Sequence, residues 1–72
     1  MLRPQYVDYV IEHFMLKLSG PSKEALREVI LEPNIPIKEI ADKWGVTRQS
    51  VGKNLGRFTR IHYGITGAIK LL

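Results

Sequence analysis

An all-α fold, a bundle of four to five short helices, is predicted by three features of this 72-residue sequence. Apolar residues recur at helical spacings of three and four, and no alternating strand pattern competes with them. Residues that cap or open helices (Pro4, Ser19-Gly20-Pro21, Thr47) stand just ahead of the periodic stretches. Breakers separate those stretches, above all Pro33, Pro36 and Gly45. A chain this short makes one domain, residues 1–72, with an N-terminal helix over 1–18 and a core over 19–72.

The first helix is expected from about Pro4 to Leu18. Val7, Val10, Ile11, Phe14, Met15 and Leu18 fall on one broad stripe at 100° per residue. Leu2, Tyr6, Tyr9 and Leu16 form a second stripe on roughly the opposite side. A helix lying on one core needs only one stripe. The plain reading of the second is tyrosine-rich surface. The preferred reading is a homodimer contact through Tyr6, Tyr9 and Leu16. Ser19 or Gly20 caps the second helix and Pro21 suits its first turn. Ala25, Leu26, Val29 and Ile30 make its apolar face. It should end at Glu32-Pro33-Asn34-Ile35-Pro36, because residues before proline avoid the α region.

The segment Ile37 to Val51 predicts a helix-turn-helix, two helices packed steeply across a three- or four-residue turn. Ala41 supplies the small side chain required where the helices cross. Four residues later Gly45 supplies a residue tolerant of positive φ. Ile40, Trp44, Val46 and Val51 provide apolar contacts beneath, and Thr47 is a good N-cap for the next helix. That helix should run from Arg48 to about His62, burying Val51, Leu55, Phe58 and His62.

Charge gives the second helix of the pair its chemistry. The formal net charge is +4, but its distribution is uneven. Residues 1–34 carry four bases and five acids, and residues 35–72 carry seven bases and two acids. No acid follows Asp42. Such asymmetry directs the second half toward a polyanion, nucleic acid or an acidic membrane surface. On the helix after Thr47, Arg48 and Lys53 can donate to guanine O6 and N7, and Gln49 can pair with adenine. Lys38, Ser50, Arg57 and Arg60 are better placed for phosphates, which fix register without reading sequence. Asn54 lies nearer the buried edge. Gly52 and Gly56 share the outward side, at a cost of roughly 1 kcal/mol each relative to alanine. They are either tolerated weakness, a small-residue contact with another helix, or a bare surface that lets the helix settle deep in the major groove.

From Ile37 onward, KEIADKWGVTRQSVGKNLGRF followed by YGITGAIKLL resembles the DNA-binding domains of LuxR/GerE-type regulators and of sigma factor region four. The similarity extends loosely to Leu18, about three quarters of the chain. It implies buried positions at Val51 and Leu55, base-facing ones at Arg48, Gln49 and Lys53, and a short further helix opening at Thr66 after a break at Gly64. Gly20-Pro21-Ser22-Lys23-Glu24 departs from the acidic, arginine-rich helix opening of that family, and the glycines at 52 and 56 are unusual for it. TRQSVGKNLGRF is also similar to small plasmid repressors of the KorA/TrfB type and to fimbrial regulators of the PapB type, which lack a sensor domain.

The expected function is therefore sequence-specific double-stranded DNA binding by a homodimeric transcriptional regulator, a repressor in preference, of plasmid or phage type. One alternative is the targeting domain of a recombinase or transposase, and another is a protein–protein adaptor. No catalytic set accompanies Ser19, Ser22 or Ser50, so an enzyme is not expected, nor is a cofactor. The absence of cysteine removes disulfides and thiolate metal sites. His13 and His62 lie 49 positions apart without a carboxylate cluster, so no metal is expected. Asp8 and Glu12 interrupt any signal-like apolar run, and no stretch is long enough to span a bilayer. A cytoplasmic setting without membrane attachment is the simplest expectation.

Overall fold

In the computed structural model, which describes residues 2–71 and side chains through Gly67, most of the chain is helical. The helices are α1 (Pro4–Phe14), α2 (Gly20–Leu31), α3 (Ile37–Trp44) and α4 (Arg48–Leu71). Among the described residues there is no strand, and no helix is long and apolar enough to cross a membrane. The helix starts follow local chemistry. Pro4 and Pro21 occupy first-turn positions whose N–H would lack a partner anyway. The Ser19 hydroxyl accepts the Ser22 N–H at 3.3 Å.

α2 and α4 form the central pair. α1 and α3 each pack against both, and they do not touch each other. The core accordingly has two parts. Val7, Val10, Ile11 and Met15 of α1 and its C-cap meet Leu26 and Phe58 in one cluster. Ala25, Ile40, Ala41 and Val51 form the other where α2, α3 and α4 converge, with Val29, Trp44 and Val46 packed around it. Ion pairs tie the first three helices together. Arg27 Nε donates to Asp8 Oδ1 at 2.7 Å, between α2 and α1. Lys43 Nζ donates to Glu28 Oε1 at 2.6 Å, between α3 and α2. A longer contact of 3.8 Å joins Lys23 to Glu12. The Asp8 carboxylate, by hydrogen bond and by charge, raises the already high pKa of Arg27.

Three expectations need correction. α1 ends at Phe14, not Leu18. Helical spacing assigns Phe14 and Met15 to one buried stripe, but the helix stops between them. Met15, with non-helical φ and ψ, turns into the core and is 1% exposed, and Phe14 is left 49% exposed. Tyr6 does not lie on a free stripe with Tyr9 and Leu16. It is partly buried, and its hydroxyl shares a 2.7 Å hydrogen bond with His62 Nδ1 of α4. Finally, Gly64 does not end α4, and no separate helix opens at Thr66. A helix-opening threonine accepts a later N–H, but the Thr66 hydroxyl donates back to the His62 carbonyl at 3.1 Å. Thr59 does the same to Leu55 at 2.9 Å. A glycine costs a helix about 1 kcal/mol, which a 24-residue element tolerates. Of the stretch expected to form that separate helix, Leu72 lies outside the described residues.

Candidate nucleic-acid interface

Three residues, Gly45-Val46-Thr47, join α3 to α4, and each has a defined task. Gly45 takes the left-handed conformation, φ 68° and ψ 30°, which any side chain would strain. Its N–H bonds to the Asp42 carbonyl at 3.3 Å, and the Val46 N–H bonds to the Ala41 carbonyl at 3.0 Å. That pair of bonds is a Schellman closure, and Val46 completes it by packing against the Ile40–Ala41 cluster. Thr47 then caps α4, its hydroxyl accepting the Ser50 N–H at 3.1 Å. Ala41 is buried beside Val51, where a small side chain lets α3 and α4 approach. The orientation of α4 is therefore held by backbone bonds, a cap and a packed crossing.

Below that crossing α4 buries Val51, Asn54 and Phe58, with Leu55 and His62 at the margin. Its opposite face is open. Arg48, Gln49, Lys53, Arg57 and Arg60 are all exposed, as are Gly52 and Gly56 between them. From Arg48 to Arg60 this face extends about 18 Å at 1.5 Å per residue. Gln49, Lys53 and Arg60 share the side opposite the core, and Arg48 stands toward one flank. Arg57 stands toward the flank on which Ser50 is partly buried. An added Cβ at Gly52 or Gly56 would meet nothing within 4 Å, so neither glycine packs a helix of this chain.

The bases divide into two populations. Lys23, Arg27 and Lys43 are paired with acids of α1 and α2. Among the described residues Arg48, Lys53, Arg57 and Arg60 make no ion pair. Lys43 also lies over the Trp44 ring at 5.2 Å, beside its bond to Glu28 of α2. Lys38 is exposed in the first turn of α3, on a different element from the other candidate residues. Arg48, Gln49 and Lys53, the expected base-facing residues, are all exposed on α4. Sequence reasoning does not foresee that Lys43 is neutralised by Glu28, because the partners are 15 residues apart and meet only through packing. It also misses Trp44 Nε1, which is buried with no hydrogen-bond partner.

No protein-family model, curated protein or solved structure matches this chain.

Proposed function

We propose that the chain binds double-stranded DNA sequence-specifically, as a cytoplasmic transcriptional regulator and by preference a repressor. α3 and α4 act as a helix-turn-helix, with the first half of α4 entering the major groove. Segregation of charge carries this reading. Every acid that pairs lies in α1 or α2, and the exposed side of α4 keeps its cations without an acid among them. A surface needed only for solubility mixes both signs. A face of unpaired bases about 18 Å long fits a duplex, whose phosphates compensate what the protein leaves uncompensated. Arg48, Gln49 and Lys53 are the base readers, and Lys38, Arg57 and Arg60 hold phosphates, with Thr47 and Ser50 fixing the helix start.

Selection of bound molecules from random duplex DNA tests the proposal. Enrichment of a consensus with twofold symmetry is expected, and failure to enrich any sequence overturns it. Three phosphate cations per copy predict a slope of about −2.7 in log affinity against log salt, or about −5.4 for two copies. Salt-insensitive binding would instead favour a protein–protein adaptor.

The glycines provide a second check. Because open space surrounds both, Gly52→Ala/Gly56→Ala is expected to stabilise the fold by about 2 kcal/mol. For a domain of this size that raises Tm by roughly 8–16 °C. The same methyl groups would stand between α4 and the base edges, so duplex affinity should fall while Tm rises. Unchanged affinity would reduce the glycines to tolerated weakness.

A further inference from the structure

We propose that a second copy of this chain docks on the outward face of α1 and the turn after it, through Tyr9, Phe14 and Leu16. These side chains are 55%, 49% and 71% exposed. Tyr9 and Phe14 approach edge-on with ring centroids 6.5 Å apart, and His13 lies against Tyr9 at 4.3 Å. Exposed large apolar side chains gathered in this way mark an interaction surface, and aromatic residues dominate the centres of such surfaces. Tyr6 belongs instead to the interior, held by His62.

Charge selects the occupant. A twofold contact joins one patch to itself, so its flanking charges must be self-complementary. The open face of α4 fails that test, because every charged residue on it is a base. The cleft between α2 and α3 is lined by Glu24, Arg27, Glu28 and Glu32 with Leu31 and Trp44, and it offers no exposed aromatic cluster for a second copy to cover. The α1 patch passes. Glu12 is exposed in the last turn of α1, its ion pair among the described residues being the 3.8 Å contact with Lys23. Lys17, exposed and unpaired among the described residues, follows Leu16 in the turn after α1. A twofold axis passing midway between them, near Phe14, would bring the Lys17 of each copy toward the Glu12 of its mate. A DNA backbone is repelled by Glu12 and gains little from an aromatic cluster.

The position of the patch also suits paired reading heads, a point that rests on the DNA-binding proposal. α1 packs on α4 near Phe58 and His62 and makes no contact with α3. From His62 back to Arg48 is about 21 Å of helix. Two copies joined at α1 could therefore set their Arg48 ends on the order of one duplex turn, about 34 Å, apart.

Sedimentation equilibrium of the intact chain without DNA, beside Tyr9→Glu/Leu16→Glu, tests the proposal. A dimer at micromolar concentration is expected for the parent chain. Self-association should be at least about thirtyfold weaker in the variant, with helicity and Tm maintained because both positions are exposed. A parent chain that stays monomeric overturns the proposal, whatever else occupies the patch. So does a variant that dimerises undiminished. If the variant loses its fold, Lys17→Glu decides. It should weaken the dimer, and Glu12→Lys/Lys17→Glu should restore it; an unaffected dimer overturns the proposal. Binding to a single half-site duplex is measured separately, so a dimer that binds no DNA defeats the DNA reading and leaves this one standing.

Discussion

Replacing Arg48 and Lys53 together by alanine is expected to weaken binding to the selected duplex by about 2–6 kcal/mol. Each base-reading contact discriminates against a wrong base by about 1–3 kcal/mol, and both side chains are exposed in the first half of α4. The loss corresponds to roughly thirtyfold to more than ten-thousandfold in affinity. Stability should move by no more than about 0.5 kcal/mol, since both residues are exposed and neither makes an ion pair among the described residues. The informative quantity is the ratio of consensus to scrambled duplex, measured by fluorescence anisotropy at fixed salt. Arg48→Ala/Lys53→Ala should drive that ratio toward one. Arg60→Ala should weaken both duplexes alike and reduce the salt slope by about 1. If Arg48→Ala/Lys53→Ala weakens consensus and scrambled duplex equally, these residues hold phosphates and the base-reading assignment is wrong.

Much of this arrangement is legible in the residues because it is decided locally. The Ser19 and Thr47 caps, the left-handed Gly45 and the small Ala41 are each required by backbone geometry within a few positions, and each is found where spacing predicts it. The outward side of α4 is legible for the same reason. Three features are not, and all are decided by packing. Helical spacing treats Phe14 and Met15 as equivalent, but only the chain reversal after Phe14 determines that the unbranched Met15 fills the core. Tyr6 and Tyr9 are alike in sequence, and what separates them is His62, 56 positions away. Gly64 looks like a stop, but Thr59 and Thr66 turn their hydroxyls back onto α4 and the helix continues to Leu71. The consequence for the site is direct. The exposed cations of α4 stand where the sequence places them, and the exposed apolar side chains of α1 and its turn are Tyr9, Phe14 and Leu16 in place of Tyr6, Tyr9 and Leu16.

Phe58→Ala is expected to have the largest effect on stability. Phe58 is 3% exposed and is the α4 member of the cluster formed with Val7, Val10, Ile11, Met15 and Leu26. Truncating a buried phenylalanine costs about 3–5 kcal/mol. A chain of this length has a total stability of about 4–11 kcal/mol at the usual value per residue. The variant should thus lose about a quarter or more of its stability, and with the lowest total and the highest cost it would be largely unfolded at 25 °C. Circular dichroism melting should show Tm falling by at least about 12 °C. The second cluster, around Ile40, Ala41 and Val51, contains no Phe58 contact, yet a domain this small melts as one unit. One transition is expected, and two would show the clusters to be independent. Anything that binds only the folded state restores stability by mass action, about 2.7 kcal/mol at one hundred times Kd. Consensus duplex at that excess should therefore return most of the lost helicity to Phe58→Ala. Combining Phe58→Ala with Arg48→Ala/Lys53→Ala should abolish that rescue, because the core defect remains and the face that would couple folding to DNA is gone.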